Sequence, residues 1–117
     1  SQIRNGASEI KAVDDKHGTI TVARDLANFL LASAHEGRRG LFHYASKGLA
    51  TRFQIAAEIA NELHYRGSLL PVASDMFPLP APRPTFEGLE SVHLTGESGS
   101  NYFERWQDDL RKYVSEF

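Results

Sequence analysis

The sequence contains no cysteine, which excludes disulfides and thiolate chemistry and is compatible with a reducing cytoplasm. No apolar run approaches a membrane span and the N-terminus is not a signal peptide, so no membrane partner is expected. Basic residues form no stripe. Lys and Arg number 13 against 15 Asp and Glu, a formal charge of −2, which argues against a nucleic-acid groove. Any anion site must be local. The length of 117 residues fits one domain with one modest core. The chain opens on Ser1 and turns at once at Asn5-Gly6, as expected of a piece cut from something longer.

Catalytic signatures are equally scarce. The histidines, His17, His35, His43, His64 and His93, show no pair four apart with an intervening glutamate and no ligand spacing, so no metal is expected. No serine sits in a nucleophile elbow, and the glycines form neither a phosphate loop nor a dinucleotide fingerprint. A tyrosine and lysine that share proton transfer on one helix face lie four apart, whereas Tyr44 and Lys47 are three apart in an expected strand and turn. That pair is read as coincidence. His43, in an apolar run, reads as a hydrogen-bonded core histidine, and Asp25 as a dipole partner at a helix start.

What is present is a chain of short elements. Residues 9–14 alternate weakly with period two and read as a strand, followed by a turn at Asp15-Lys16-His17-Gly18. Thr21 is expected to cap a helix whose core face is Ala23, Leu26, Ala27, Leu30, Leu31 and Ala34, with Gly37 ending it. Residues 40–46 read as a mostly buried strand. Thr51-Arg52-Phe53-Gln54 is a capping box. The helix it opens should bury Phe53, Ala56, Ala57, Ala60 and Leu63, keep Glu58 and Glu62 wet, and close at Gly67. Residues 68–73 read as a strand that Pro71 confines to an edge or end. Residues 87–100 are expected to form a surface loop, and a last helix from Ser100 or Asn101 should set Phe103, Trp106, Leu110, Tyr113, Val114 and Phe117 on one side. Strands alternating with three helices imply an α/β piece, or α+β if it stands alone.

All five prolines lie within residues 71–84. Each removes a donor and fixes φ, so residues 77–84 should run extended without helix or central-strand pairing. Arg83, between Pro82 and Pro84, puts a planar fork of donors on a stiffened backbone. Two readings are open for it: bracing the loop through backbone carbonyls, or binding an anion.

Several stretches together carry a likeness: Val13-Asp14-Asp15 with Gly18, Thr21, Ala23, Asp25, Leu26 and Ala27; Gly40-Leu41-Phe42-His43 with Gly48; Pro80-Ala81-Pro82-Arg83-Pro84 with Leu89; and Trp106, Leu110 and Tyr113. In these the chain resembles the C-terminal, substrate-binding part of the dTDP-4-dehydrorhamnose reductase family, in the extended short-chain dehydrogenase group. The family usually has a proline where Ile20 stands, and the region between Leu89 and Trp106 diverges.

The resemblance implies a parent oxidoreductase that passes hydride from NADPH (or NADH) to the 4-keto group of a nucleotide-linked deoxysugar, towards dTDP-L-rhamnose. Residues 1–117 would be a single substrate-binding fragment without the N-terminal Rossmann domain, inactive alone, binding no cofactor and holding no catalytic residue. Arg83 towards the diphosphate, Thr21 as a hydroxyl contact and His17 are the substrate-side residues it implies. The implied partners are a nucleotide sugar, the absent Rossmann domain and a second copy in a homo-oligomer, in the cytoplasm. The alternatives are a non-catalytic regulatory module, like the regulatory subunit of methionine adenosyltransferase, or another nucleotide-sugar reductase or epimerase.

Overall fold

The computed structural model describes residues 2–91 and 103–116. Strand β1 (Glu9–Val13) and strand β4 (Ser68–Val72) pair in parallel, from Glu9 opposite Ser68 to Val13 opposite Val72. Ile10 and Ala12 point inward while Glu9 and Lys11 face water, the period-two pattern that the sequence carries. Pro71 sits opposite Ala12 in a sheet of two strands among the described residues, so its missing donor faces the outer edge at no cost.

Between these strands lie two helices, α1 (Ala23–His35) and α2 (Arg52–Glu62). The capping box of α2 is fully formed: the Gln54 N–H donates to Thr51 Oγ1 at 3.1 Å, and the Thr51 N–H to Gln54 Oε1 at 2.9 Å. At the end of α1, Gly37 takes φ 66°. The N–H groups of Gly37 and Arg38 bond back to Ala34 and Ser33, a Schellman closure. The end of α2 differs from expectation, because His64, not Gly67, takes the left-handed position, with φ 53°. Its N–H and that of Tyr65 satisfy the carbonyls of Asn61 and Ala60, which offsets the roughly 1 kcal/mol that a Cβ costs there. Gly67 is required for another reason. A Cβ there would stand 2.1 Å from Tyr65 Oη and 2.8 Å from the Ser8 carbonyl oxygen.

Helix α1 also departs from the sequence reading. Its N-cap is Val22, without a side-chain cap bond, because the Thr21 hydroxyl instead donates to the Tyr44 carbonyl at 3.3 Å. The leucine-rich stripe is not a core face: Leu30 is 57% and Leu31 71% exposed, and the buried residue of α1 is Phe29. Phe29 packs with Phe103, Phe42 and Tyr44, its ring 5.0 Å from Tyr44 and 6.3 Å from Phe103.

Residues 41–46 form no strand. The Ser46 N–H donates to Ile20 and the Tyr44 carbonyl accepts from Thr21; these are isolated bonds rather than a ladder, and no named strand lies beside them among the described residues. His43 is exposed, not a core histidine.

Helix α3 (Trp106–Ser115) begins later than expected; Ser100, Asn101, His93 and Phe117 lie outside the described residues. Phe103 is buried ahead of the helix rather than on it, and Asp108 and Asp109 occupy the first turn. Trp106, Leu110 and Val114 pack with Ala50 against Ile20, Ile55, Ile59 and Leu63. Tyr113, expected in this stripe, is 44% exposed. Glu58 is not on the wet side either: it tucks under Arg111, paired at 3.0 Å.

The third layer is a small sheet in the order β3 (Ala50–Thr51), β2 (His17–Gly18), β5 (Phe86–Glu87). Strand β2 is antiparallel to β3 and parallel to β5. His17-Gly18 is therefore a strand where the sequence suggested the end of a turn; the bend is confined to Asp15. Two residues are too few to carry a visible alternation.

Candidate functional site

Strand β2 is where the proline segment meets the rest of the chain. Residues 77–84 form neither helix nor strand, in keeping with the fixed φ angles of their four prolines. The segment is nevertheless fastened at both ends. At its start the Asp15 carboxylate accepts from the Ser74 N–H at 3.1 and 3.0 Å and from the Ser74 hydroxyl at 3.0 Å. The Ser74 backbone bond in particular holds the Asp15 carboxyl below its ordinary value. At its end the His17 N–H donates to Thr85 at 2.8 Å, β2 pairs with β5, and the Leu89 N–H donates to Thr19 Oγ1 at 3.2 Å. Midway, Lys16 Nζ donates to the Arg83 carbonyl at 2.8 Å.

These bonds bring Arg83 and His17 to one corner. The Arg83 backbone is held by Lys16, while its side chain is exposed and has no hydrogen-bond or ion-pair partner among the described residues. An ammonium has three donors, of which Lys16 uses one here. The corner therefore presents two cationic groups with unspent donors. His17 stacks on Phe86, ring centroids 5.0 Å apart. Thr21 is not gathered into this corner; its hydroxyl is spent on Tyr44. Lys16 and Phe86 are the members that sequence reasoning missed. A lysine in a turn and an aromatic two residues past Pro84 carry no signal until the pairing of β2 with β5 joins them.

No group of three or more His, Asp or Glu among the described residues is arranged to hold a metal ion. Tyr44 is not tuned as a proton donor: burial pushes its phenol up to about 12, with the charges of Asp25, Asp109 and Glu104 adding to it. A proton-donating tyrosine near neutral pH needs the opposite shift.

This raised value has a consequence for stability. The fold favours the neutral phenol, so the contribution is whole below the ordinary value of 10.0 and is lost as pH rises through about 12. Thermal unfolding of Tyr44→Phe should therefore lose less midpoint temperature across that interval than the wild type. Superimposable pH profiles would show that the phenol is not held this way.

A buried polar contact ties α3 to the irregular run 41–46. The Ser46 hydroxyl donates to Asp109 Oδ2 at 2.5 Å, and both residues are buried. Burial raises the Asp109 carboxyl, and the Ser46 bond partly opposes the shift. Asp109 is a buried residue of α3 itself, and its hydrogen bond to Ser46 gives it a structural role.

Comparison with known proteins agrees with this architecture. Residues 2–117 match the family model described as the RmlD substrate binding domain. A dTDP-4-dehydrorhamnose reductase of Mycobacterium tuberculosis is 39% identical over 88 residues, which are 74% of this chain and 29% of that protein. The crystal structure of dTDP-4-dehydrorhamnose reductase from Yersinia enterocolitica superposes with a TM-score of 0.91 at 41% identity, covering 99% of this chain and 40% of that one. The enzyme of that name from Bacillus anthracis, in complex with NADP, superposes with a TM-score of 0.81 at 26% identity, covering 98% and 41%. The chain thus spans well under half the length of each.

Proposed function

The chain belongs to the RmlD substrate-binding domain family, and on that premise we propose that it is the substrate-binding part of a reductase acting on a dTDP-linked 4-keto deoxysugar. The observation that carries this reading is the Arg83 corner. A proline-stiffened segment fastened at both ends carries an exposed arginine whose backbone carbonyl accepts from Lys16, and two cationic residues tied in this way suit a diphosphate. Arg83 would take the diphosphate, and His17 would line the same wall. Thr21 holds the Tyr44 backbone with its hydroxyl proton, which leaves the oxygen to accept a donor of the substrate.

The reductant in this reading is NADPH or NADH, which supplies the hydride. The chain's own residues do not fit that group: the sequence has no dinucleotide fingerprint and Tyr44 is shifted the wrong way. A separate Rossmann domain is the partner that would hold it. The test is direct. The isolated chain mixed with NADPH and a dTDP-linked 4-keto sugar should oxidise no NADPH, and measurable oxidation would overturn the assignment of chemistry elsewhere.

The exposed apolar residues fit the same reading. Leu30, Leu31, Leu41, Leu79 and Leu89 are each more than half exposed, and such surface drives association. The isolated chain is therefore expected to sediment as oligomers at high concentration, whereas a single monomeric species would count against it. The described helices include none long and apolar enough to cross a membrane, which is in keeping with a cytoplasmic place for the parent.

A further inference from the structure

Phe86 is 64% exposed, yet its ring has a fixed setting. The parallel pairing of β2 with β5 puts His17 directly opposite Phe86, so both side chains leave the same face of the sheet. Their rings stack 5.0 Å apart with 22° between planes. His17 Nδ1 is buried and has no hydrogen-bond partner among the described residues, so stacking rather than a bond at that atom orients the imidazole. With one face of Phe86 covered by His17, its exposure belongs to the other face and the ring edge. Two cationic residues flank the stacked pair in sequence: Lys16 immediately precedes His17, and Arg83 lies three residues before Phe86. The bond from Lys16 Nζ to the Arg83 carbonyl ties them together.

We propose that the outer face of Phe86 is the seat of the substrate's nucleobase, stacked there while Lys16 and Arg83 hold the diphosphate. The inference rests on the nucleotide-sugar reading above and adds which part of the ligand this chain grips: the nucleoside diphosphate rather than the deoxysugar. An aromatic platform binds any base through its π face. Phe86 therefore selects for the presence of a base, not for thymine over uracil. The ring is already ordered by His17 and β5, so little conformational freedom is lost when a base settles on it.

The experiment uses the whole 117-residue chain and two probes, dTDP and inorganic pyrophosphate, with affinities read by NMR titration. The wild type should bind dTDP more tightly than pyrophosphate. Phe86→Leu should weaken dTDP about tenfold, towards the low end of what base stacking contributes, and leave pyrophosphate unchanged. Phe86→Trp, which keeps a platform, should retain dTDP binding and guards against a leucine variant that merely misfolds. If both variants bind dTDP like the wild type while Arg83→Ala weakens both probes, the diphosphate reading stands and the base seat is refuted. If the wild type binds neither probe, the nucleotide-sugar reading itself fails, and the base seat with it.

Discussion

Replacing Trp106 with Ala should cost about 3–5 kcal/mol, the range for removing a buried aromatic side chain. Trp106 is 6% exposed at the centre of the cluster that joins α3 to α2 and β3. It is also boxed in: a Cβ on Gly48 would lie 3.2 Å from Trp106 Cδ1, and Gly48 takes φ 95°, so the chain reserves a left-handed glycine to let the indole lie against it. The loss is large because the reserve is small. None of the described side chains is less than 2% exposed, and domains of this size hold only about 5–15 kcal/mol in total. Urea unfolding should place the midpoint of Trp106→Ala at or near zero denaturant, with Trp106→Phe between it and the wild type. A loss under about 1 kcal/mol, within the range of ordinary surface substitutions, would mean that α3 is not docked through this residue.

Arg83→Ala should do the reverse, weakening ligand without weakening the fold. Losing a charge-assisted contact is worth about 1.5–3 kcal/mol, or roughly tenfold to a hundredfold in the affinity for a dTDP-sugar. In a parent enzyme that difference would appear in KM. The fold should not notice, because the Arg83 guanidinium has no partner among the described residues and the Lys16 bond is to its backbone carbonyl, which alanine retains. Calorimetry of both quantities separates the two readings of this residue. Unchanged affinity with a lowered melting temperature would make Arg83 a brace and remove it from the site.

How much of this was legible in the sequence depends on whether the deciding partner lay nearby. Thr51 and Gln54 are three apart, and their reciprocal capping bonds follow from local geometry alone. Gly37 and the alternation of Ile10 and Ala12 were equally readable. The apolar face of α1 was not, since periodicity reports which residues could be buried but not whether a neighbour covers them; Leu30 and Leu31 face outward while Phe29 meets Tyr44 and Phe103. The apolar run at 40–46 failed as a strand for the same reason, lacking a partner rather than propensity. His64 took a position that glycine favours because two carbonyls at the end of α2 needed its N–H and that of Tyr65. In the site, Arg83 was visible through its flanking prolines. Lys16 and Phe86 became visible only when β2 and β5 came together.

In the proposed reading, this chain grips a nucleotide sugar and performs no chemistry on it. One titration tests both halves: a dTDP-linked 4-keto sugar added to isotope-labelled chain in the presence of NADPH, with amide shifts and NADPH absorbance followed together. The expected result is saturable shift changes centred on Lys16, His17, Arg83 and Phe86 with no loss of NADPH. Shifts confined to other surfaces, or steady consumption of NADPH, would contradict it.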